Sequence, residues 1–201
     1  MKKGILIAIE GIDGSGKSVI AKELVNFLNA AGYDAILLKE PTDSIYGEKI
    51  RKSTERLPPE EELELFLLDR EIDVRKRILP ALEKGKVIVM DRYYYSNIAY
   101  QSARGIDAEK IRSMNEKFAP KPDLVIVLDV SPETALRRIK HRGRLTAFES
   151  QDYLEKVREN FLKLADDRTI VLNAERGIED VKKDVFAIVK QLLDSYGSRG
   201  G

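Results

Sequence analysis

Gly11-Ile12-Asp13-Gly14-Ser15-Gly16-Lys17-Ser18 matches G-x-x-x-x-G-K-[ST] at every fixed position. Glycines in such a loop let backbone N–H groups turn inward around a phosphate chain, and the following helix adds positive potential at its N-terminus. Lys17 then reaches the β- and γ-phosphates, and the Ser18 hydroxyl ligates Mg²⁺. The ligand that this chemistry takes is a nucleoside triphosphate. A magnesium site also calls for a carboxylate at the end of a buried strand. Asp91 follows Val87 to Met90, and Asp129 follows Leu124 to Leu128. Asp91 leads on into Arg92 and a run of tyrosines, which carries charge into a cleft. Asp129 leads into Val130-Ser131-Pro132, an ordinary strand-to-helix link, so Asp91 is the candidate metal ligand beside Ser18.

GTPase switches, motors and kinases all use this loop. A guanine-reading Asn-Lys-x-Asp segment is absent, and a motor or helicase usually needs a longer chain. Arginines are abundant instead: Arg70, Arg92, and the cluster Arg137, Arg138, Lys140, Arg142 and Arg144. Forked guanidiniums suit a second anionic substrate and a migrating phosphoryl group, although any one of them also reads as part of a solvated helix face. His141 to Ser150 forms a basic, glycine-containing loop between helical stretches, shaped like a closing lid. If the acceptor is a nucleoside monophosphate, its attacking oxygen is already largely ionised near neutral pH. Catalysis then reduces to positioning, charge neutralisation and exclusion of water, and the single histidine, His141, reads as a lid surface residue.

The elements that must position these residues alternate. Short apolar runs at Ile5 to Glu10, Ala35 to Lys39, Val87 to Asp91, Leu124 to Val130 and Thr169 to Asn173 read as strands. Helical spacing follows Lys17 and Pro58-Pro59, and begins again near Ser131-Pro132, at Ser150, and from Ile178 to about Leu193. Alternating strands and helices predict an α/β fold with a parallel five-stranded sheet covered by helices on both faces. Ligands in that architecture lie beyond the carboxyl ends of the strands, where the phosphate loop, Glu40-Pro41 and Asp91-Arg92 stand. The expected organisation is one P-loop kinase domain over residues 1–196, with a short lid at about 141–150 and a mobile tail at 197–201.

Composition bounds the rest. The chain has 201 residues, which fits one domain. Lys and Arg number 35 against 34 Asp and Glu, a balance that argues against a general nucleic-acid coat protein. With no cysteine, thiol nucleophiles, zinc-thiolate sites and iron–sulfur clusters are excluded. The apolar run at the N-terminus is too short for a signal peptide, and none approaches the roughly 20 residues that cross a bilayer, so a cytoplasmic protein without a membrane partner is expected. Charged residues make up 34%, against about 25% in ordinary domains, which points to a heat-adapted host.

Glu10-Gly11 to Ser18, Glu40-Pro41, Phe66 with Arg70, Asp91-Arg92-Tyr93 with Ser96 and Ala99-Tyr100-Gln101, Pro122-Asp123-Leu124 to Asp129 and the basic lid occur in that order. Over about Gly4 to Leu193 the chain resembles thymidylate kinase. The resemblance implies transfer of phosphate from ATP with Mg²⁺ to dTMP, giving ADP and dTDP, by a homodimer that takes no nucleic acid. It implies contacts to ATP from Gly11, Ile12, Asp13, Gly14, Ser15, Gly16, Lys17 and Ser18, with Arg138 and Arg144. Phe66 would stack on thymine, Arg70 would hydrogen-bond its carbonyl, and Ser96 and Asn97 would face the base. Arg92 would hold the acceptor phosphate, Tyr100 would crowd the sugar 2′ position, and Asp13 would lie near the sugar hydroxyl and the metal. Glu40 and Pro41 would belong to the acceptor loop. By residue type alone Phe66 reads more often as core than as a stacking ring. Gly14 stands where one class of the family is basic, which implies catalysis by lid arginines, Arg142 first and Arg144 or Arg138 next, together with Lys17, Asp13 and Arg92. Val19 replaces a usual hydroxyl residue, and Lys39-Glu40-Pro41-Thr42-Asp43-Ser44 replaces the usual Arg-Glu-Pro-Gly-Gly-Thr. These departures leave two alternatives: a kinase of another nucleotide or nucleoside, or a nucleotide-binding regulator without turnover.

Overall fold

The computed structural model describes residues 4–53, 56–140 and 150–197. Five strands, β1 (Ile5–Glu10), β2 (Ala35–Lys39), β3 (Val87–Asp91), β4 (Leu124–Asp129) and β5 (Thr169–Asn173), form one sheet in the order β2-β3-β1-β4-β5. Every pairing is parallel. β1 and β3 are buried along their whole length, as apolar runs covered on both faces must be. Around them lie α1 (Lys17–Ala30), α2 (Ile45–Lys52), α3 (Pro59–Asp73), α4 (Leu79–Glu83), α5 (Tyr94–Ser102), α6 (Ala108–Glu116), α7 (Pro132–Lys140), α8 (Gln151–Lys163) and α9 (Ile178–Gly197).

The chain leaves β1 toward the β2 edge, returns to β3 beside β1, and crosses to β4 on the other side. β1 is therefore the point where the winding reverses, and a crevice opens beyond its carboxyl end. α1 buries Ile20, Ala21, Leu24 and Leu28, and α9 buries Val181, Val185, Val189 and Leu193 at helical spacing. Phe27 and Phe186 stack between these two helices with ring centroids 4.4 Å apart.

The structure departs from the sequence reading in places. α2, α5 and α6 are unforeseen; of these, α5 is buried on nearly every side and lacks the polar face that marks an amphipathic helix. Between α3 and α4 the chain stays helical through a π-turn at Val74–Ile78, which accommodates Pro80 and its missing N–H. α9 runs past Leu193 into Gly197, the first residue of the expected tail, and the Tyr196 hydroxyl donates to Asp123 Oδ1 at 2.8 Å. Residues 198–201 and lid positions 141–149, with Arg142 and Arg144, lie outside the described residues. Among the described residues no helix is long and apolar enough to cross a membrane.

Candidate active site

Buried β1 delivers the phosphate loop, and α1 carries it into the sheet. Gly16 caps α1 in the left-handed region at φ 101° without any side-chain cap. The Lys17 ammonium turns back to donate to the Ile12 carbonyl at 2.7 Å. Burial lowers its pKa to about 7, Arg92 pushes the same way, and Asp13, Asp91 and Glu10 oppose them. Gly14 sits at φ 83°, and a Cβ there would lie 2.4 Å from the Ala135 carbonyl oxygen in α7. No side chain fits at this position while α7 stays where it is. That agrees with the absence of a loop arginine.

The Ser18 hydroxyl donates to Asp91 Oδ2 at 2.6 Å, so β3 and α1 bring the two expected metal ligands together. Lys39, at the end of β2, stands 3.5 Å from the same oxygen. A hydroxyl and one carboxylate beside a phosphate cavity suit Mg²⁺, which takes few protein ligands and keeps water and substrate phosphates around it. Among the described residues no cluster of three His, Cys, Asp or Glu side chains competes for that role. Asp129 instead forms a two-point ion pair with Arg158, at 2.6 and 2.9 Å.

Two cavities meet here. The smaller, about 110 Å³, is lined by Gly14, Gly16, Lys17, Ser18, Lys39 and Asp91 among others. The larger, about 280 Å³, takes in all nine residues expected around the acceptor: Asp13, Glu40, Pro41, Phe66, Arg70, Arg92, Ser96, Asn97 and Tyr100. Asp13 and Arg92 line both, so the cavities join at this ion pair.

Arg92 follows β3 at φ 73°, the left-handed region that side chains rarely adopt. Its N–H donates to the Ile9 carbonyl at 3.2 Å, while its guanidinium donates to Asp13 Oδ1 at 2.5 Å and to the Ser96 hydroxyl at 3.0 Å. Burial works to raise the Asp13 carboxyl, but Arg92 and Lys17 outweigh it and hold the pKa at about 2. The Tyr100 hydroxyl accepts the Asp13 N–H at 3.1 Å and donates to Asp13 Oδ2 at 3.2 Å. Underneath, the buried Glu10 carboxylate accepts the N–H groups of Tyr93 and Ser96 at 2.8 and 3.2 Å and the Ser96 hydroxyl at 2.5 Å. Glu10 thus caps the first turn of α5 from another element. Burial raises its pKa, and the bonds from Ser96 and the charge on Arg92 hold it back.

α3 fixes the loop after β2, where the acceptor is expected, through two adjacent residues. Arg70, fully buried, donates through Nε and Nη2 to Glu40 at 2.9 and 2.5 Å. Asp69 accepts the Thr42 N–H at 2.8 Å and the hydroxyls of Thr42 and Ser44 at 2.5 and 2.6 Å. The altered segment Thr42-Asp43-Ser44 is thereby held by its own hydroxyls. Glu40-Pro41 is a cis peptide.

Glu10, Glu62, Gln101, Arg104, Asn115 and Tyr153 were given no role by the sequence reading. A charge inside a buried apolar strand was the available signal for Glu10, whereas Asn115 carried none. Arg138 donates to the Ala174 carbonyl at 3.0 Å, beyond the end of β5.

A family model described as thymidylate kinase matches residues 9–185. A "Probable thymidylate kinase" of Archaeoglobus fulgidus is 59% identical, over 94% of this chain and 97% of its own length. One from Pyrococcus horikoshii is 46% identical over 95% and 98%, and the "Thymidylate kinase" of Brachyspira hyodysenteriae is 42% identical over 94% and 95%. With these matches spanning the strands, the phosphate loop and both cavities, the chain belongs to the thymidylate kinase family.

Proposed function

We propose that the chain phosphorylates dTMP to dTDP, with ATP as donor and Mg²⁺ bound by Ser18 and Asp91. The observation that carries this reading is the junction of a phosphate cavity with a base-sized cavity at Asp13 and Arg92. An anion entering the larger cavity meets Arg92 already oriented by Asp13 and Ser96, so little rearrangement is needed to hold the acceptor phosphate. Phe66 offers a ring for the base, and Tyr100 fills the space at the sugar 2′ position. When bound, the metal neutralises charge on the donor phosphates. Lys17 and the inward-facing loop amides hold those phosphates, and Arg142, or Arg144 or Arg138, supplies positive charge as the lid excludes water.

The same reading takes the chain as one kinase domain with a lid at about 141–150, working as a homodimer in the cytoplasm of a heat-adapted host. Light scattering tests the dimer, and a melting scan tests the heat adaptation. The activity is tested by an ADP-release assay across the nucleoside monophosphates. Turnover of dTMP well above dCMP is expected, with side activity on dUMP, because a single methyl group supplies only about 1–3 kcal/mol of selectivity. Turnover without preference, or binding without turnover, refutes the assignment.

A further inference from the structure

Asp91 Oδ2 has two partners of opposite character. The Ser18 hydroxyl donates to it at 2.6 Å, and the Lys39 ammonium stands 3.5 Å away. Lys39 and Asp91 are paired positions of the parallel strands β2 and β3, so their side chains leave the same face of the sheet. The pair is lopsided. The Asp91 side chain is 4% exposed, whereas that of Lys39 is 61% exposed where it lines the smaller cavity. Asp91 is held in place by its strand and by Ser18. Lys39 carries a compact charge on a flexible stem that is already in water, so it can leave the carboxylate at little cost. An ion pair of this kind adds little to stability.

Among the described residues three cations line the smaller cavity, and each is turned differently. Lys17 donates to the Ile12 carbonyl, and Arg92 donates to Asp13 and Ser96. Of the three, Lys39 is the one paired with Asp91. While Lys39 rests there, a divalent cation reaching Asp91 and Ser18 must displace the ammonium or bear its repulsion. Donor phosphates bring negative charge into the same cavity. Lys39 can turn to them, and Asp91 is then released.

We propose that Lys39 is a positioning residue that guards Asp91: it weakens metal binding to the chain alone and turns to the donor phosphates as they enter, so that metal and nucleotide are taken up together. The inference rests on the reading that Ser18 and Asp91 hold the metal. Its test titrates Mn²⁺, a paramagnetic stand-in for Mg²⁺, into the full chain without nucleotide, read by electron paramagnetic resonance. Lys39→Met is expected to bind Mn²⁺ roughly 3–10-fold more tightly than the wild type, as befits one unit charge removed from near a divalent ion in a wet site. In EDTA, calorimetry is expected to show ATP binding several-fold more weakly to Lys39→Met, since one cation facing the phosphates is gone. Mn²⁺ affinity that is unchanged or lower, absence of binding to both proteins included, overturns the proposal, and so does an unchanged ATP affinity. Lys39→Arg keeps the charge: Mn²⁺ binding as weak as in the wild type supports the guard, and binding as tight as in Lys39→Met refutes it. Lys39→Gln takes the place of the methionine variant if that one does not fold, with the same expected shifts. Asp91→Asn combined with Lys39→Met tells the two readings apart. Mn²⁺ binding that persists there refutes the metal site beneath the proposal, whereas binding lost there without a gain in Lys39→Met refutes the guard alone.

Discussion

The Glu10 carboxylate accepts the Ser96 hydroxyl at 2.5 Å across 86 residues of sequence, and that hydroxyl in turn accepts from Arg92. Ser96 thus spends its proton on β1 and a lone pair on Arg92, so its main effect on the acceptor runs through the arginine. Ser96→Ala is expected to raise KM for dTMP several-fold and to cost about 1–3 kcal/mol of stability, since it leaves the buried Glu10 and the partly buried Arg92 each short of one partner. Steady-state kinetics with a denaturant titration checks both. A KM equal to that of the wild type would mean that Arg92 holds its place without the hydroxyl.

Lys17 gives a signature in pH. Burial holds its pKa at about 7 in the free protein, and bound phosphates stabilise the charged ammonium and move the value back up. Nucleotide binding should therefore take up protons at alkaline pH, approaching about one per site near pH 8.5 and little near pH 6. Calorimetry in buffers of different ionisation enthalpy reads the uptake directly. Lys17→Met should abolish it, and uptake that persists in this variant would place the titrating group elsewhere.

Gly14 leaves no room for a side chain in the phosphate loop. Gly14→Arg is expected to lower the melting temperature, because the left-handed backbone alone costs of order 1–3 kcal/mol and the new Cβ would press on the Ala135 carbonyl. Turnover should fall with it as α7 shifts. A variant as stable and active as the wild type would show that α7 yields without cost.

Arg142→Ala is expected to depress kcat more than it raises KM for dTMP, by roughly 10²–10³-fold if this side chain meets the charge developing during transfer. An unchanged kcat passes the role to Arg144 or Arg138. Of these, Arg138 is the one among the described residues, and there it is engaged by the Ala174 carbonyl.

The sheet and the phosphate loop were legible because both are written in contiguous sequence: apolar runs at regular intervals, and a loop whose glycines and lysine cannot be moved. The nine residues expected around the acceptor came from the family resemblance that an ordered set of short motifs carries, and all nine line one cavity. What escaped was made by tertiary contact. α5 shows no amphipathic period because it is buried almost all round, and its first turn is capped by a glutamate from another element. Glu62 reads as one of three acidic residues at a helix start, and only the fold brings it to Gln101. The Thr42-Asp43-Ser44 segment departs from the usual motif, and only the fold brings its hydroxyls to Asp69.

The pairing of β1 also constrains how the molecule is made. Its partners begin at Val87 and Leu124, through Ile5↔Val87 and Ile7↔Leu124, with no nearby strand to pair with sooner. During synthesis the Ile5 to Ile9 run emerges before both of its partners, an apolar segment with open edges on both sides. Parallel closure over such distances is slow and leaves the nascent chain prone to aggregation. The strand that seats the phosphate loop is therefore where a holdase would protect the growing chain.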